Sequence, residues 1–213
     1  MTDKILNLYA GIGGNRKLWE NVDVTAIERD PAVAEVYQKN FPDDTIIVTD
    51  AHQYLLNNFD GYDFIWSSPP CPTHSQIRKI HYDADPEKQG EIPPVFPDMK
   101  LYEEILFLEH YHKGRYVVEN VRPYYKPLIQ AQVLQRHLFW ANYYISPFTV
   151  EADRITGGSG GSVPFWEEHF GFDLSGYEGE QSKATILTNC VHPKLGKHIY
   201  ECSKMTTNSP EEW

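Results

Sequence analysis

Short apolar runs alternate with longer amphipathic segments along most of this chain of 213 residues. The short runs are rich in β-branched and aromatic residues, which is typical of buried strands, and the longer segments have the apolar spacing and proline starts of helices. This alternation predicts an α/β fold with a largely parallel sheet and helices on both faces. The predicted strands are residues 4–10, 24–28, 45–49, 63–68, 116–120 and 137–145, and the predicted helices are residues 14–20, 31–40, 52–58, 98–112 and 127–135.

Two stretches interrupt this pattern. Residues 72–97 have four prolines between Pro86 and Pro97 and mixed charge, which predicts a long loop that is functional or disordered. Residues 151–182 contain the run GGSGGS followed by aromatic and acidic residues, which indicates a small irregular insert. The apolar segment 191–202 is expected to return to the main unit as a helix. The predicted organisation is a main unit at 1–150, an insert at 151–185 and a returning segment at 186–213.

The charge of the chain is unevenly distributed. A net charge of −11, from 19 basic and 30 acidic residues, argues against loose binding to phosphate backbones. Residues 122–150, however, carry 3 basic and no acidic side chains, and residues 183–204 carry 4 basic side chains and 1 acidic one. These segments, together with residues 76–81, would hold a polyanion if folding gathers them on one side.

The cysteine content and the apolar runs limit the classes of protein to which this chain can belong. Cys71, Cys190 and Cys202 are an odd number with no close pair, which predicts free thiols and no disulfide scaffold or zinc cluster. His110 and His112 would point to different faces of their predicted helix, so we expect no metal site there. No apolar run approaches the ~18–20 residues of a membrane span, and no secretory signal is evident. We therefore expect a cytoplasmic protein that does not bind membranes.

Candidate ligand-binding residues follow the first three predicted strands. The first strand ends in AGIGG at residues 10–14, a glycine-rich turn that lets a ligand approach backbone N–H groups or simply forms a tight turn. The second strand ends at Glu28, where a carboxylate can accept from ribose hydroxyls. The third ends at Asp50, which can bind an amino group or cap the following helix.

Two more candidates follow the next strands. Residues 67–75, SSPPCPTHS, form a rigid turn that carries Cys71, and Glu119 lies in the segment ENV at the end of the fifth strand. Because the carboxyl ends of parallel strands meet at one edge of a sheet, where ligands bind in such folds, we expect all five segments to form one site.

In this order, the motifs resemble those of the DNA cytosine-5 methyltransferases: LYAGIGG, the acidic strand ends, PPC followed by THS, ENV, and HLFWAN at 137–142. The resemblance covers residues 5–145 and resumes at TNCV, 188–191. It implies the Rossmann-like fold of methyltransferases that use S-adenosylmethionine as cofactor. By this resemblance, residues 1–150 are the catalytic and cofactor-binding domain, 151–185 a reduced target-recognition insert, and 186–213 a segment returning to the catalytic domain.

The resemblance also implies roles for individual residues. Carbon 5 of cytosine is a poor nucleophile, so a thiolate, here that of Cys71, adds to carbon 6, and Glu119 contacts the ring and stabilises the added state. Arg136 is a further candidate catalytic residue, because a nearby cation favours the thiolate. The implied cofactor-binding residues are Tyr9, Ala10, Gly11, Gly13, Gly14, Glu28, Asp50, Pro70, Asn189 and Val191. The implied nucleic-acid-binding residues are Ser75, Gln76, Arg78, Lys79 and His137.

The chain departs from the family pattern at three points. Asn7 and Tyr9 replace an Asp and a Phe, and His137 stands where a second arginine is usual, which would make activity sensitive to pH. The third departure is the short, acidic insert. We therefore expect either a short or relaxed target specificity, or a recognition surface supplied by a second copy of the chain or by an accessory protein. The expected substrate is double-stranded DNA, to be reached by base flipping. Methylation of RNA and a non-catalytic cofactor-binding subunit are the alternatives. The small size suggests a phage or mobile-element origin.

Overall fold

A seven-stranded sheet forms the centre of the chain in the computed structural model, which describes residues 2–76, 95–150 and 162–205. The strands are β1 (Asp3–Leu8), β2 (Val22–Glu28), β3 (Thr45–Val48), β4 (Phe64–Ser67), β5 (Arg115–Val121), β6 (Gln132–Leu134) and β7 (His137–Ala141). Their spatial order is β3-β2-β1-β4-β5-β7-β6. Strands β1 to β5 are parallel, and β7 is antiparallel to both β5 and β6. The predicted, largely parallel α/β sheet is confirmed.

A helix connects β2 to β3, β3 to β4 and β4 to β5. Asp30 caps the first helix and Pro31 occupies its first turn, where the missing N–H of proline removes no hydrogen bond. The segment predicted to return as a helix does so as the last helix. Within the described ranges, the helices are α1 (Pro31–Asn40), α2 (Ala51–Asn58), α3 (Lys100–Tyr111), α4 (Val163–Phe170), α5 (Lys183–Thr188) and α6 (Pro193–Lys204).

Both faces of the sheet are covered, as its sequence pattern predicts. Successive residues of a strand point to opposite faces, so the neighbours Ile5 and Leu6 of β1 belong to different core clusters. Ile5 packs in the cluster that contains Leu195 of α6, and Leu6 packs in the cluster that contains Leu101 of α3. Burial of these apolar layers, at roughly 25 cal/mol per Å², holds the helices on the sheet.

Two predicted helices are wrong. Residues 14–20 form turns and no helix. Here the side chain of Asn15 donates from Nδ2 to Oδ1 of Asn7 in β1 at 2.7 Å, and this contact with the strand favours the turn conformation. Residues 127–135 instead contain β6, whose Gln132 side chain bonds to the backbone of Tyr143 and Ile145. The predicted strand at 137–145 is shorter and ends with β7 at Ala141.

In the part of the chain that the structure describes, no helix has both the length and the apolar character needed to cross a membrane. The same ranges contain no cluster of three or more His, Cys, Asp or Glu side chains suited to hold a metal ion. The three cysteines are free.

Candidate active site

A cleft of about 1410 Å³ lies at the carboxyl edge of the sheet. Single small-molecule sites usually occupy ~300–1,000 Å³, so this cleft has room for two ligands side by side. The structure brings all five predicted segments to it, and each contributes at least one side chain or backbone group to the lining. The lining includes Gly11, Glu28, Asp50, Cys71 and Glu119.

The glycine turn faces the cleft next to Glu28. Gly11 has a φ of 55°, in the left-handed region that favours glycine, and a Cβ atom added there would meet nothing within 4 Å. Its N–H donates to Oε2 of Glu28 at 3.0 Å, while Oε1 of Glu28 accepts from the N–H groups of Arg29 and Asp30. The carboxylate at the end of β2 is thus held in place beside open space above the turn.

The other two glycines of the turn serve close packing. A Cβ atom on Gly13 would lie 2.2 Å from the ring of Phe41, and one on Gly14 would lie 2.0 Å from Sγ of Cys190. Gly14 lines the cleft, but Gly13 is turned towards Phe41 and Tyr37 and does not. Gly14 therefore permits the close approach of residues 190–191, which belong to the segment where the family resemblance resumes.

The residues at this end of the cleft fit S-adenosylmethionine. Carboxylates at Glu28 and Asp50 are suited to accept hydrogen bonds from ribose hydroxyls and an adenine amino group. Asp50 caps α2 by accepting from the N–H of Gln53 at 2.9 Å, which is one of the two roles predicted for it, and it also lines the cleft. Of the other residues predicted to bind the cofactor, the cleft is lined by Tyr9, Ala10, Pro70, Asn189 and Val191.

Cys71 lies at the start of a compact turn. Its carbonyl oxygen accepts from the N–H groups of His74 and Ser75 at 2.9 and 3.0 Å. Asn120, next to Glu119, donates from Nδ2 to the carbonyl oxygen of Pro69 at 2.8 Å, which ties the cysteine segment to β5. Half-buried Cys71 is therefore anchored to the strand that carries the second candidate catalytic residue.

The charged groups around Cys71 have opposite effects on the pKa of its thiol. Burial, together with the negative charge of Glu119, raises the pKa of the Cys71 thiol, whereas the positive charge of Arg136 lowers it. Arg136 lines the cleft and donates from Nη2 to the carbonyl oxygen of Thr188 at 3.3 Å. Its buried Nε finds no hydrogen-bond partner among the described residues. Among the described residues, Arg136 is thus a cation whose charge favours the thiolate.

We expect Arg136→Met to slow alkylation of Cys71 severalfold near neutral pH and to move the alkylation profile to higher pH. Loss of the cation leaves burial and Glu119 to raise the pKa of the thiol, and only the thiolate reacts. Alkylation by iodoacetamide, followed at the Cys71 peptide by mass spectrometry, measures this. Arg122→Met is the matched control, because its Nη2 bonds to the carbonyl oxygen of Gln135 instead. If the alkylation of Cys71 depended on pH in the same way in both variants, Arg136 would have no role in activating the thiol.

Glu119 and His137 form a buried pair across β5 and β7. Nδ1 of His137 lies 3.1 Å from Oε1 of Glu119, and both side chains are less than a tenth exposed. Burial raises the pKa of Glu119 to about 7, and burial together with Arg136 lowers the pKa of His137 to about 3. Because a neutral pair costs less than two charges in such surroundings, Glu119 holds its proton in a large fraction of molecules at neutral pH.

The remaining predicted nucleic-acid-binding residues are placed differently. Ser75 and His137 line the cleft. Gln76 does not, and its Nε2 donates to the carbonyl oxygen of Pro123 at 3.2 Å. Arg78 and Lys79 lie outside the described residues.

Glu104 was not among the predicted residues and does not line the cleft, but it holds Tyr9, which does. It is 1% exposed in α3 and accepts hydrogen bonds from the hydroxyls of Tyr9, at 2.6 Å, and Ser67, at 2.5 Å. His52 Nδ1 lies 2.9 Å from the same carboxylate, and this contact raises the pKa of His52. The sequence offered one indication of this role: Glu104 follows Leu101 by three residues, so helical spacing places it on the buried face of the helix.

Glu104→Gln is expected to lower the free energy of unfolding by about 1–3 kcal/mol, because one amide N–H₂ group must then face hydroxyl or imidazole groups that donate to the carboxylate. Glu103→Gln is the matched control, since the Glu103 side chain is 61% exposed, and should change stability by less than ~0.5 kcal/mol. Denaturant unfolding of both variants provides the measurement. Equal stability of the two variants would contradict a structural role for the Glu104 network.

Comparison with known proteins places this cleft in context. Residues 4–99 match the family described as C-5 cytosine-specific DNA methylase, a range that includes the glycine turn and Cys71 but ends before Glu119. A tRNA (cytosine(38)-C(5))-methyltransferase from Spodoptera frugiperda is 31% identical over 93 residues, 40% of this chain and 28% of the relative. A protein of the same name from Homo sapiens is 28% identical over 116 residues, 50% of this chain and 30% of the relative.

Among solved structures, that of a Spodoptera frugiperda DNMT2 mutant is 27% identical with a TM-score of 0.37, over 56% of this chain and 35% of that one. The chain thus spans less than a third of the length of the curated relatives that it matches.

Proposed function

We propose that this chain, whose residues 4–99 match the C-5 cytosine-specific DNA methylase family, methylates carbon 5 of cytosine in DNA through a covalent adduct with Cys71. The family match confirms the predicted resemblance and, with it, S-adenosylmethionine as the cofactor. The observation that supports the proposed chemistry is the meeting of Cys71, Glu119 and the glycine turn in one cleft with room for two ligands.

The first proposed step activates the base. The thiolate of Cys71 forms a bond to carbon 6 of cytosine, and the protonated carboxyl group of Glu119 gives its proton to ring nitrogen 3, so that carbon 5 becomes an enamine carbon. A Glu119 pKa of about 7 suits this transfer, because the carboxyl group still carries a proton near neutral pH. Arg136 stabilises the thiolate before it adds.

The remaining steps restore the enzyme. S-adenosylmethionine, when bound, would supply the electrophilic methyl group: carbon 5 gains a bond to this methyl group while the S–CH₃ bond breaks and S-adenosylhomocysteine is left. Carbon 5 then loses its proton to solvent, the bond between carbon 6 and Sγ breaks, and Cys71 leaves as the thiolate. Glu119 recovers its proton from nitrogen 3, so each turnover releases one proton and leaves both residues as they began.

Incubation of the protein with labelled S-adenosylmethionine and duplex DNA, single-stranded DNA or RNA tests the substrate. Sequencing of modified cytosines then locates the product. We expect label on carbon 5 of cytosine in DNA. Label found in RNA alone would overturn the DNA assignment but keep the chemistry, whereas donor binding without transfer to any nucleic acid would overturn the chemistry.

RNA is the second candidate substrate. Both curated relatives described above are named as tRNA methyltransferases, and base chemistry at Cys71 and Glu119 does not depend on the sugar that carries the base. A transfer RNA with a cytosine at position 38, and the same RNA with uracil there, form the matched pair of substrates. Equal labelling of the two RNAs would argue against this position as the target.

A further inference from the structure

The insert packs on the cofactor end of the molecule. Trp166 of α4 is 2% exposed and belongs to a cluster that includes Ile12 of the glycine turn and Val33 of α1. Nζ of Lys17, which follows the turn, lies 3.8 Å from the ring centroid of Phe172 and contacts the carbonyl oxygen of Gly171. Apolar burial and a cation–π contact therefore both fix this segment against the glycine turn.

Part of the insert also faces the cleft itself. Trp166, Glu180 and Gln181 line the same cleft as Gly11 and Glu28. The short helix α5 follows directly and adds Ile186 to the lining, so Trp166, Glu180, Gln181 and Ile186 line the cleft together with residues 188–191.

The charge of this segment does not suit a polynucleotide. Residues 162–182 contain five acidic side chains and no lysine or arginine. Proteins that bind nucleic acids obtain much of their affinity from lysine and arginine on phosphates, and a surface of this composition repels them. The same composition is compatible with a cofactor that has a positively charged sulfonium group.

We propose that residues 162–182 form a wall of the cofactor site, where Trp166, Glu180 and Gln181 contact bound S-adenosylmethionine, and that they do not recognise the nucleic acid. The exposed carboxylate of Glu180 and amide of Gln181 accept hydrogen bonds from hydroxyl, amino or ammonium groups, and Trp166, which stacks on Phe170, offers a small apolar contact behind them. This inference rests on the cofactor part of the proposed function and is independent of the substrate and of the covalent step.

Binding of S-adenosylhomocysteine, measured by isothermal titration calorimetry, tests the proposal without any activity assay. Glu180 and Gln181 are exposed, so Glu180→Gln and Gln181→Ala should fold normally and weaken binding about three- to tenfold each, the loss expected for one hydrogen bond. Trp166→Phe should weaken binding about tenfold. Phe165→Ala is the matched control on α4, because Phe165 is 40% exposed and does not line the cleft, and should bind like the wild type.

Binding of labelled DNA and RNA by the same variants gives the second measurement. The proposal expects wild-type affinity for nucleic acid in all of them. Unchanged affinity for S-adenosylhomocysteine in Glu180→Gln, Gln181→Ala and Trp166→Phe would overturn it, as would weaker nucleic-acid binding with normal cofactor binding. Weaker cofactor binding in a protein that transfers no methyl group would support this inference while overturning the proposed function.

Discussion

Replacement of Cys71 by serine is expected to lower methyl transfer on the order of 10⁴-fold or more, the scale seen when a covalent nucleophile is removed. A serine hydroxyl has no anion comparable to a thiolate near neutral pH, so carbon 6 of cytosine is not attacked. A duplex with 5-fluorocytosine at the target position makes the step visible, because fluorine at carbon 5 cannot leave as a proton and the bond to Cys71 persists. The wild type should form this adduct, and Cys71→Ser should not.

Cys202→Ser is the matched control for this experiment. Cys202 is buried in α6, where its Sγ lies 3.5 Å from Nε2 of His198, and it does not line the cleft. This variant should retain adduct formation. An adduct that persists in Cys71→Ser, or that is lost in Cys202→Ser with an intact fold, would assign the nucleophile elsewhere.

Glu119→Gln is expected to lower methyl transfer by about 10²–10⁴-fold while S-adenosylhomocysteine binds as in the wild type. Glutamine fills the same space but has no acidic proton for ring nitrogen 3, so the added state loses its stabilisation. Single-turnover transfer and calorimetric binding separate the two effects. Glu109→Gln, an exposed change on α3, is the control, and a normal transfer rate in Glu119→Gln would exclude Glu119 from the mechanism.

The same variant should also change how stability depends on pH. Burial raises the pKa of Glu119 to about 7 from an ordinary 4.5, so its contribution to stability is fully present below the unfolded-state pKa and is lost as pH rises through about 7. Glutamine does not titrate. Relative to the wild type, Glu119→Gln should therefore gain up to about 3 kcal/mol of unfolding free energy between about pH 5 and about pH 9. A constant difference across this range would show that Glu119 is ionised throughout.

The sequence alone determined which segments meet at the site. Parallel strands place their carboxyl ends at one edge, so the order of strand-ending motifs predicted that Gly11, Glu28, Asp50, Cys71 and Glu119 would line one cleft. Helix α1 was also predicted with its observed bounds, because Asp30 and Pro31 fix its start locally. These features depend on local chemistry and on the geometry that every parallel sheet shares.

Long-range contacts decided the rest. Asn15 and Gln132 lie in segments with helical spacing, yet hydrogen bonds to residues remote from the helical repeat, at Asn7 and at Tyr143, favour other backbone conformations. The sequence could not show that Glu104 would accept from Tyr9, 95 residues away.

Only the tertiary structure showed that the insert packs against the glycine turn and lines the cleft. It likewise revealed the approach of His137 to Glu119 across β5 and β7. Motifs determine which chemical groups reach the edge of the sheet, because strand direction is a local property. Burial and hydrogen bonds between distant segments determine how those groups are held and charged, because both depend on the whole packed chain.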